Sequence, residues 1–229
     1  MRIGVYSSIC EEDAVWIDQY LAEIERLDLE FAINLDRCSQ ETKVRLIAHP
    51  RCIGFTIQDD PAIEFTERHK QGVMDILQKD GFDWALAWDV DETWERDFDE
   101  KVKVLETIDA DYIDLPWKNL WGDVGTIRTD GTFAGGHRVK FYRLTKPWNW
   151  HFEHPITNGA KHRSLDEPVE GKIDLVCLHH GMMTQELREF HKARWDRIYT
   201  AAVGNNPYGF WNYALDPGVT ITTAPNIWR

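Results

Sequence analysis

Trp84-Ala85-Leu86-Ala87-Trp88 runs without a break into Asp89-Val90-Asp91-Glu92. Five consecutive apolar residues with no polar alternation read as a strand buried on both faces, as in a parallel sheet. The acids after it mark where the chain leaves the core. Toward the N-terminus, three more strand patterns alternate with helix patterns. Arg2 to Ser7, Glu30 to Leu35 and Cys52 to Ile57 read as strands. Ala14 to Leu27, Thr42 to Ala48 and Ile63 to Leu77 read as helices, and Glu11-Glu12-Asp13 suits the positive end of the first. Strand, helix, strand at this spacing predicts an α/β fold with parallel strands joined by crossovers. Ligands of such sheets bind at the carboxyl ends of the strands. The residues closing those strands are Ser7-Ser8, Asp36-Arg37, Gln58-Asp59-Asp60 and Asp89 to Glu92.

The pattern changes after Glu100. Val102 to Ile108 reads as a short helix, and Tyr112 to Trp121 and His137 to Leu144 as strands separated by a Gly- and Asp-rich turn region. Pro147 to Gly159 is an aromatic loop. Ile173 to Leu178 reads as a strand entering His179-His180-Gly181, and Gln185 to Ala202 as a helix with Arg188, Lys192, Arg194 and Arg197 on a basic face. No repeat, low-complexity tract or linker divides the chain. The expectation is one domain over 1–229, with a regular half at 1–100 and a more irregular half at 101–229.

A chain of 229 residues with 43% hydrophobic and 28% charged content can bury a full core and is not disordered. No apolar run approaches the roughly 18 residues of a membrane span, and the N-terminus turns polar too soon for a signal peptide. No stable membrane insertion and a cytoplasmic location, bacterial or virus-encoded, are therefore expected. A net charge of −13 makes general binding of nucleic acid or anionic membrane unfavourable. Four scattered cysteines without a CxxC pair read as reduced, packed thiols. Eleven tryptophans exceed what composition predicts; most suit a core, but flat aromatic walls also suit sugar and nucleotide sites.

Two carboxylates two residues apart at the end of a buried strand share a small space. Left bare, they repel, and one takes up a proton. A divalent cation resolves the conflict. Mg²⁺ or Mn²⁺ prefers carboxylate oxygens and completes its shell with water and substrate phosphates. Asp89 and Asp91 thus predict a metal that bridges to a phosphorylated substrate. The plainer alternative is a solvated acidic turn, since residues 89 to 100 contain seven acids.

Over most of its length the sequence resembles the family-two-like glycosyltransferases of the GT-A fold. Gly4-Val5-Tyr6-Ser7-Ser8-Ile9-Cys10-Glu11-Glu12 resembles their opening strand and "xxxNE" turn, with Asn absent. Ile33-Asn34-Leu35-Asp36-Arg37-Cys38-Ser39 is similar to the "D-x-S-x-D" stretch, and Phe82-Asp83-Trp84 through Glu92 to the "DWhhhhDaDE" signature. Val139-Lys140-Phe141-Tyr142-Arg143-Leu144 resembles the "hRhFR" strand. Leu178-His179-His180-Gly181 and the helix with Lys192, Arg194, Arg197 and Tyr199 resemble the "hxHxG…K…RY" ending. The resemblance implies a Rossmann-like, mixed, mostly parallel sheet flanked by helices. It implies a nucleotide-sugar-binding half at 1–100 and an acceptor-binding half at 101–229. It also implies metal-dependent transfer of a sugar from a nucleotide sugar, UDP-linked above all, to an acceptor hydroxyl with inversion.

In that reading Asp36 contacts the nucleoside, and Ser7 and Asp89 line the nucleotide-sugar site. Arg143 and Lys192 help bind the diphosphate. Asp89, Asp91 and His179 hold Mn²⁺ or Mg²⁺; strand alternation lets only one of His179 and His180 face the site, and Gly181 favours His179. Glu153, the lone acid of the aromatic stretch Trp148 to Pro155, is the candidate general base. Asp114, Asp123 and Glu167 are alternatives. The acceptor class stays open among carbohydrate, protein and a hydroxymethylated DNA base.

Two rival readings remain. Asp89-Val90-Asp91-Glu92-Thr93 matches the D-x-D-x-T loop of haloacid-dehalogenase-like phosphatases, whose first Asp is a nucleophile. That loop follows the first strand of its domain, whereas here about three strand–helix units precede it. A non-catalytic carbohydrate-binding protein would use the tryptophan surfaces alone.

Overall fold

The computed structural model describes residues 1–59, 68–130, 136–145, 168–203 and 220–223. Its contacts divide the chain into two compact units. The first comprises Met1–Asp91, Val102–Asp114 and Val139–Ile173, and the second Glu92–Lys101, Leu115–Arg138 and Asp174–Arg229.

In the first unit, β1 (Ile3–Cys10) pairs in parallel with β2 (Glu30–Asp36) and with β4 (Trp84–Ala87), and β2 pairs in parallel with β3 (Cys52–Gln58). β8 (Gly136–Arg143) adds an antiparallel strand beside β4, giving the order β8-β4-β1-β2-β3. The buried run that ends in Asp89 is therefore an inner strand, as its apolar content requires. Between β1 and β2 the chain makes a 3₁₀ turn (Glu11–Trp16) and then α1 (Ile17–Arg26), in place of the single helix expected from Ala14. α2 (Gln40–Ile47) is capped by Ser39, whose Oγ accepts the Thr42 N–H at 3.2 Å. α3 (Arg68–Lys79) ends at Gly81, whose φ of +78° few other residues tolerate. α3 packs Val73, Met74 and Leu77 on Tyr6, Ala32, Ala85 and Tyr142.

β9 (Glu170–Lys172) pairs in parallel with Tyr112–Asp114, the start of β6 (Tyr112–Trp121). A Cβ on Gly171 would fall 2.7 Å from Ala110 Cβ and 2.7 Å from Ile113 Cδ1. Gly171→Val should therefore lower stability by about 1–3 kcal/mol through overpacking. Thermal unfolding checks this; an unchanged midpoint would mean that β9 is not seated there.

In the second unit, β10 (Cys177–His179) lies between β5 (Glu92–Trp94, antiparallel) and β6 (parallel), while β7 (Asp123–Arg128) joins β6 and β11 (Ile221–Thr223) in antiparallel pairs. Leu120, Ile127, Leu178 and Met183 pack together. Trp94 meets Phe98 of α4 (Phe98–Lys101) edge-on at 5.6 Å, and α5 (Gln185–Val203) completes the unit. The strand expected at Ile173 to Leu178 is broken: the Val176 N–H donates to the Glu95 side chain at 2.9 Å instead of to a ladder. β7 replaces the expected turn region.

Candidate active site at the strand ends

β2 and β3 lie on one side of β1, and β4 lies on the other. The strand order reverses between β1 and β4, and open α/β sheets bind ligands at the carboxyl ends beside such a reversal. Ser7 and Asp89 flank this point, and Asp36 ends the next strand over.

Ser7 is buried, and its hydroxyl donates to the Trp88 carbonyl at 2.6 Å, with the Tyr20 hydroxyl 3.0 Å away. It fastens β1 to the end of β4, lying beneath the candidate site as a support. Trp88 also donates its N–H to the Tyr6 carbonyl at 3.1 Å, and Val90 is 3% exposed. The turn that carries the two acids is thus pinned from both sides. Asp91 is buried, whereas the Asp89 side chain is 66% exposed.

A cation that the sequence reading did not single out joins them. Lys140 on β8 is 5% exposed, and its Nζ lies 3.7 Å from Asp89 Oδ2. The register Leu86↔Phe141 carries β8 back along β4, so Lys140 falls at the carboxyl end of that strand. Lysines are almost never this buried unless paired with an opposite charge. The signal was a charge flanked by Val139 and Phe141 in a strand pattern, but sequence does not say which strand β8 adjoins.

Register places Arg143 elsewhere. It pairs with Trp84, at the amino end of β4, roughly 16 Å of strand from Asp89 at about 3.3 Å per residue. Its guanidinium lies 4.4 Å over the Trp84 ring and donates to the carbonyls of Ala110 and Ile108. These contacts tie Arg143 to the frame at the end away from the acids, which removes it from the diphosphate assignment.

Asp36 is 7% exposed, and Arg37 grips both of its carboxylate oxygens, Nε at 2.8 Å and Nη2 at 3.0 Å. Arg37 does so with a φ of +54°, an unusual backbone state for a residue with a Cβ. Burial pushes the nearby Cys38 thiol up to about 12, with Glu11 and Asp36 adding to the effect, so it stays protonated. All four cysteines are free.

Of the seven acids between 89 and 100, Asp91, Glu92 and Glu95 are buried. A solvated acidic turn would leave all of them outside. Glu92 and Glu95 belong to the second unit and have their own partners. Glu92 accepts from Trp117 Nε1 at 2.8 Å, and Glu95 accepts from Lys101 Nζ at 2.5 Å.

The second unit also holds the two histidines: His179 ends β10, and His180 follows it outside the strand. His179 stacks on Trp117 with centroids 4.7 Å apart, and its Nδ1 lies 2.7 Å from Asn119 Oδ1. With Nδ1–H donating there, Nε2 keeps the lone pair, the tautomer that a metal requires. His180 is buried, with Nε2 2.9 Å from Thr93 Oγ1. Lys192 pairs with Asp196 one turn along α5. Glu153, with the whole aromatic stretch, and Glu167 lie outside the described residues.

Among the described residues, no three His, Cys, Asp or Glu side chains gather as a metal-binding group. The donor chemistry of Asp89 and Asp91 still suits Mg²⁺ or Mn²⁺, which take one or two protein carboxylates and fill the remaining positions with phosphate oxygens and water.

No family model and no curated protein sequence matches the chain. Solved structures do. A mannosyltransferase from Pyrobaculum calidifontis, PcManGT, in complex with GDP-Man and Mn²⁺, is 13% identical with a TM-score of 0.50, over 93% of this chain and 68% of that one. HddC from Yersinia pseudotuberculosis is 11% identical with a TM-score of 0.49, over 83% of this chain and 97% of that one. TarS 1-349 from S. aureus is 12% identical with a TM-score of 0.43, over 63% of this chain; the match spans about half, 48%, of that chain. The chain has a GT-A-like fold: a mixed, mostly parallel sheet flanked by helices. Among the described residues, no helix is long and apolar enough to cross a membrane.

Proposed function

We propose that the chain transfers a sugar from a nucleoside-diphosphate sugar to an acceptor hydroxyl. One observation carries the reading: two acids and a buried lysine stand at the carboxyl end of β4, beside the reversal in strand order of a GT-A-like sheet. The mannosyltransferase of similar fold, solved with GDP-Man and Mn²⁺, lends support.

Asp89 and Asp91 hold Mn²⁺ or Mg²⁺. Such an ion, when bound, offsets the charge of the leaving diphosphate. Lys140 orients Asp89 and adds one positive charge to the two negative ones. Asp36 receives the nucleoside, and Ser7 keeps the ends of β1 and β4 in register. In the transfer, the acceptor oxygen forms a bond to the anomeric carbon as the bond from that carbon to the diphosphate oxygen breaks. The acceptor proton passes to a base, for which Glu153 is the candidate. Inversion follows from the family resemblance. A UDP-sugar is the first donor to try, and carbohydrate, protein and hydroxymethylated DNA are the acceptor classes.

The test is a panel of nucleotide sugars with Mn²⁺ or Mg²⁺, read as release of free nucleoside diphosphate. Release from one donor, lost in EDTA and restored by metal, is expected. Phosphate release from a generic aryl phosphate, with every nucleotide sugar left intact, would replace this reading with the phosphatase one.

A further inference from the structure

On one face of the first unit, side chains of β1, β2 and β3 form rows, because the parallel register aligns Ser8, Asn34 and Thr56, and two residues on, Cys10, Asp36 and Gln58. The inner row is closed: Asn34 donates to Ser8 Oγ at 2.9 Å, and Thr56 donates to Asn34 Oδ1 at 2.9 Å. The outer row, at the strand ends, is not. Cys10 turns its thiol to Asp13, and Asp36 takes Arg37. Gln58, 8% exposed, keeps a buried side-chain amide nitrogen with no hydrogen-bond acceptor. Folded proteins rarely leave such a donor unmet, and one that persists calls for an explanation, a ligand among them.

Its neighbour supplies the rest of the pattern. A carboxylate has about four lone-pair positions, and the Arg37 fork takes one on each oxygen of Asp36. Acceptor capacity on β2 therefore stands beside an unmet donor on β3, on one face and at adjacent strand ends. The complementary ligand edge carries a donor beside an acceptor. Every nucleobase has such an edge, and so has the ribose diol.

We propose that Gln58 is a nucleoside-binding residue, donating its amide N–H to the donor's nucleoside while Asp36 accepts from the same edge. This rests on the nucleotide-sugar reading above and adds a contact that the sequence analysis did not assign. The unmet amide is then a cost that the free protein carries and the bound one does not.

That asymmetry gives the test two independent readouts. Gln58→Met removes the unmet donor and keeps the side chain's length and bulk. Thermal unfolding of the free variant should rise, by about 2 °C if roughly half to one unmet hydrogen bond is relieved in a chain of this size. Binding of nucleoside diphosphates by titration calorimetry, with UDP, GDP, CDP, dTDP and ADP tried in turn, should weaken about 3- to 10-fold for the one that binds wild type. The parent nucleoside should lose by the same factor, since the phosphates are not involved. Gln58→Glu, which removes the donors and sets a charge beside Asp36, should weaken binding further. The 2′,3′-dideoxy form of the preferred nucleotide separates the sources. Equal sensitivity to Gln58→Met with and without the hydroxyls places the contact on the base, and lost sensitivity places it on the ribose. A variant that binds as wild type does, or that loses stability along with affinity, overturns the Gln58 assignment and leaves the transferase reading standing. Wild type that binds none of the five nucleotides overturns both.

Discussion

Asp91→Asn lowers turnover of the cognate nucleotide sugar by about 100- to 1,000-fold, the range seen when one preorganised charge is taken from a developing leaving group. Asparagine matches aspartate in volume, so the change removes the charge proposed to hold the metal without opening a cavity. Asp91 is the buried member of the pair, and the turn around it is held by Trp88, Ser7 and Val90. The loss should therefore appear in turnover and in the concentration of Mn²⁺ required, with a small shift in unfolding temperature. Nucleoside diphosphate release at several metal concentrations, beside a melting curve, checks it. Near-wild-type turnover at low metal would take Asp91 out of the site.

Lys101→Met should be the most damaging change to stability, at about 3 kcal/mol. Glu95 is fully buried, and its Oε1 takes Lys101 Nζ at 2.5 Å and the Val176 N–H at 2.9 Å. Removing one partner of a buried pair strands the other charge and costs roughly 3–5 kcal/mol; the lower end applies because Lys101 is 24% exposed and partly screened. For a chain of this size that is about 6–12 °C in melting temperature. The pH dependence has a definite sign. Burial pulls the Lys101 ammonium down, but the Glu95 hydrogen bond and the charges of Glu95, Asp97 and Asp174 outweigh it, so it titrates above its ordinary 10.5. A raised lysine contributes stability that is fully present below the unfolded value and lost as pH rises through the folded one. Wild type and variant should differ equally at pH 7 and pH 9, and converge only above about 10.5. A gap that closes between pH 7 and 9 would reassign the effect.

Much of the first unit was legible because parallel strands buried on both faces write themselves as unbroken apolar runs. Trp84 to Trp88 is the clearest, and its acidic end located Asp89 and Asp91 without any contact information. β7 was hidden because Asp123, Gly125 and an exposed Val124 interrupt alternation in a strand held by neighbours on both sides. β9 and β11 have three residues each, too few to show a period. Arg143 was misplaced because a strand's existence can be read from its residues but its register cannot. Lys140 escaped for the same reason. The burial of Glu92 and Glu95 depends on Trp117, Lys101 and Val176, partners up to 81 residues away, which no local pattern encodes.

Arg37 holds a left-handed backbone at the end of β2, where glycine would sit without strain. The consequence is a conflict between two selections. Under mutational drift filtered only for backbone strain, glycine is the favoured replacement at this position, although it would leave the buried Asp36 carboxylate without its guanidinium partner. Under selection for a correctly aimed Asp36 carboxylate, arginine is retained despite its backbone. Any program of consensus or stability-guided redesign should therefore treat position 37 as off limits, even though its local geometry recommends the change.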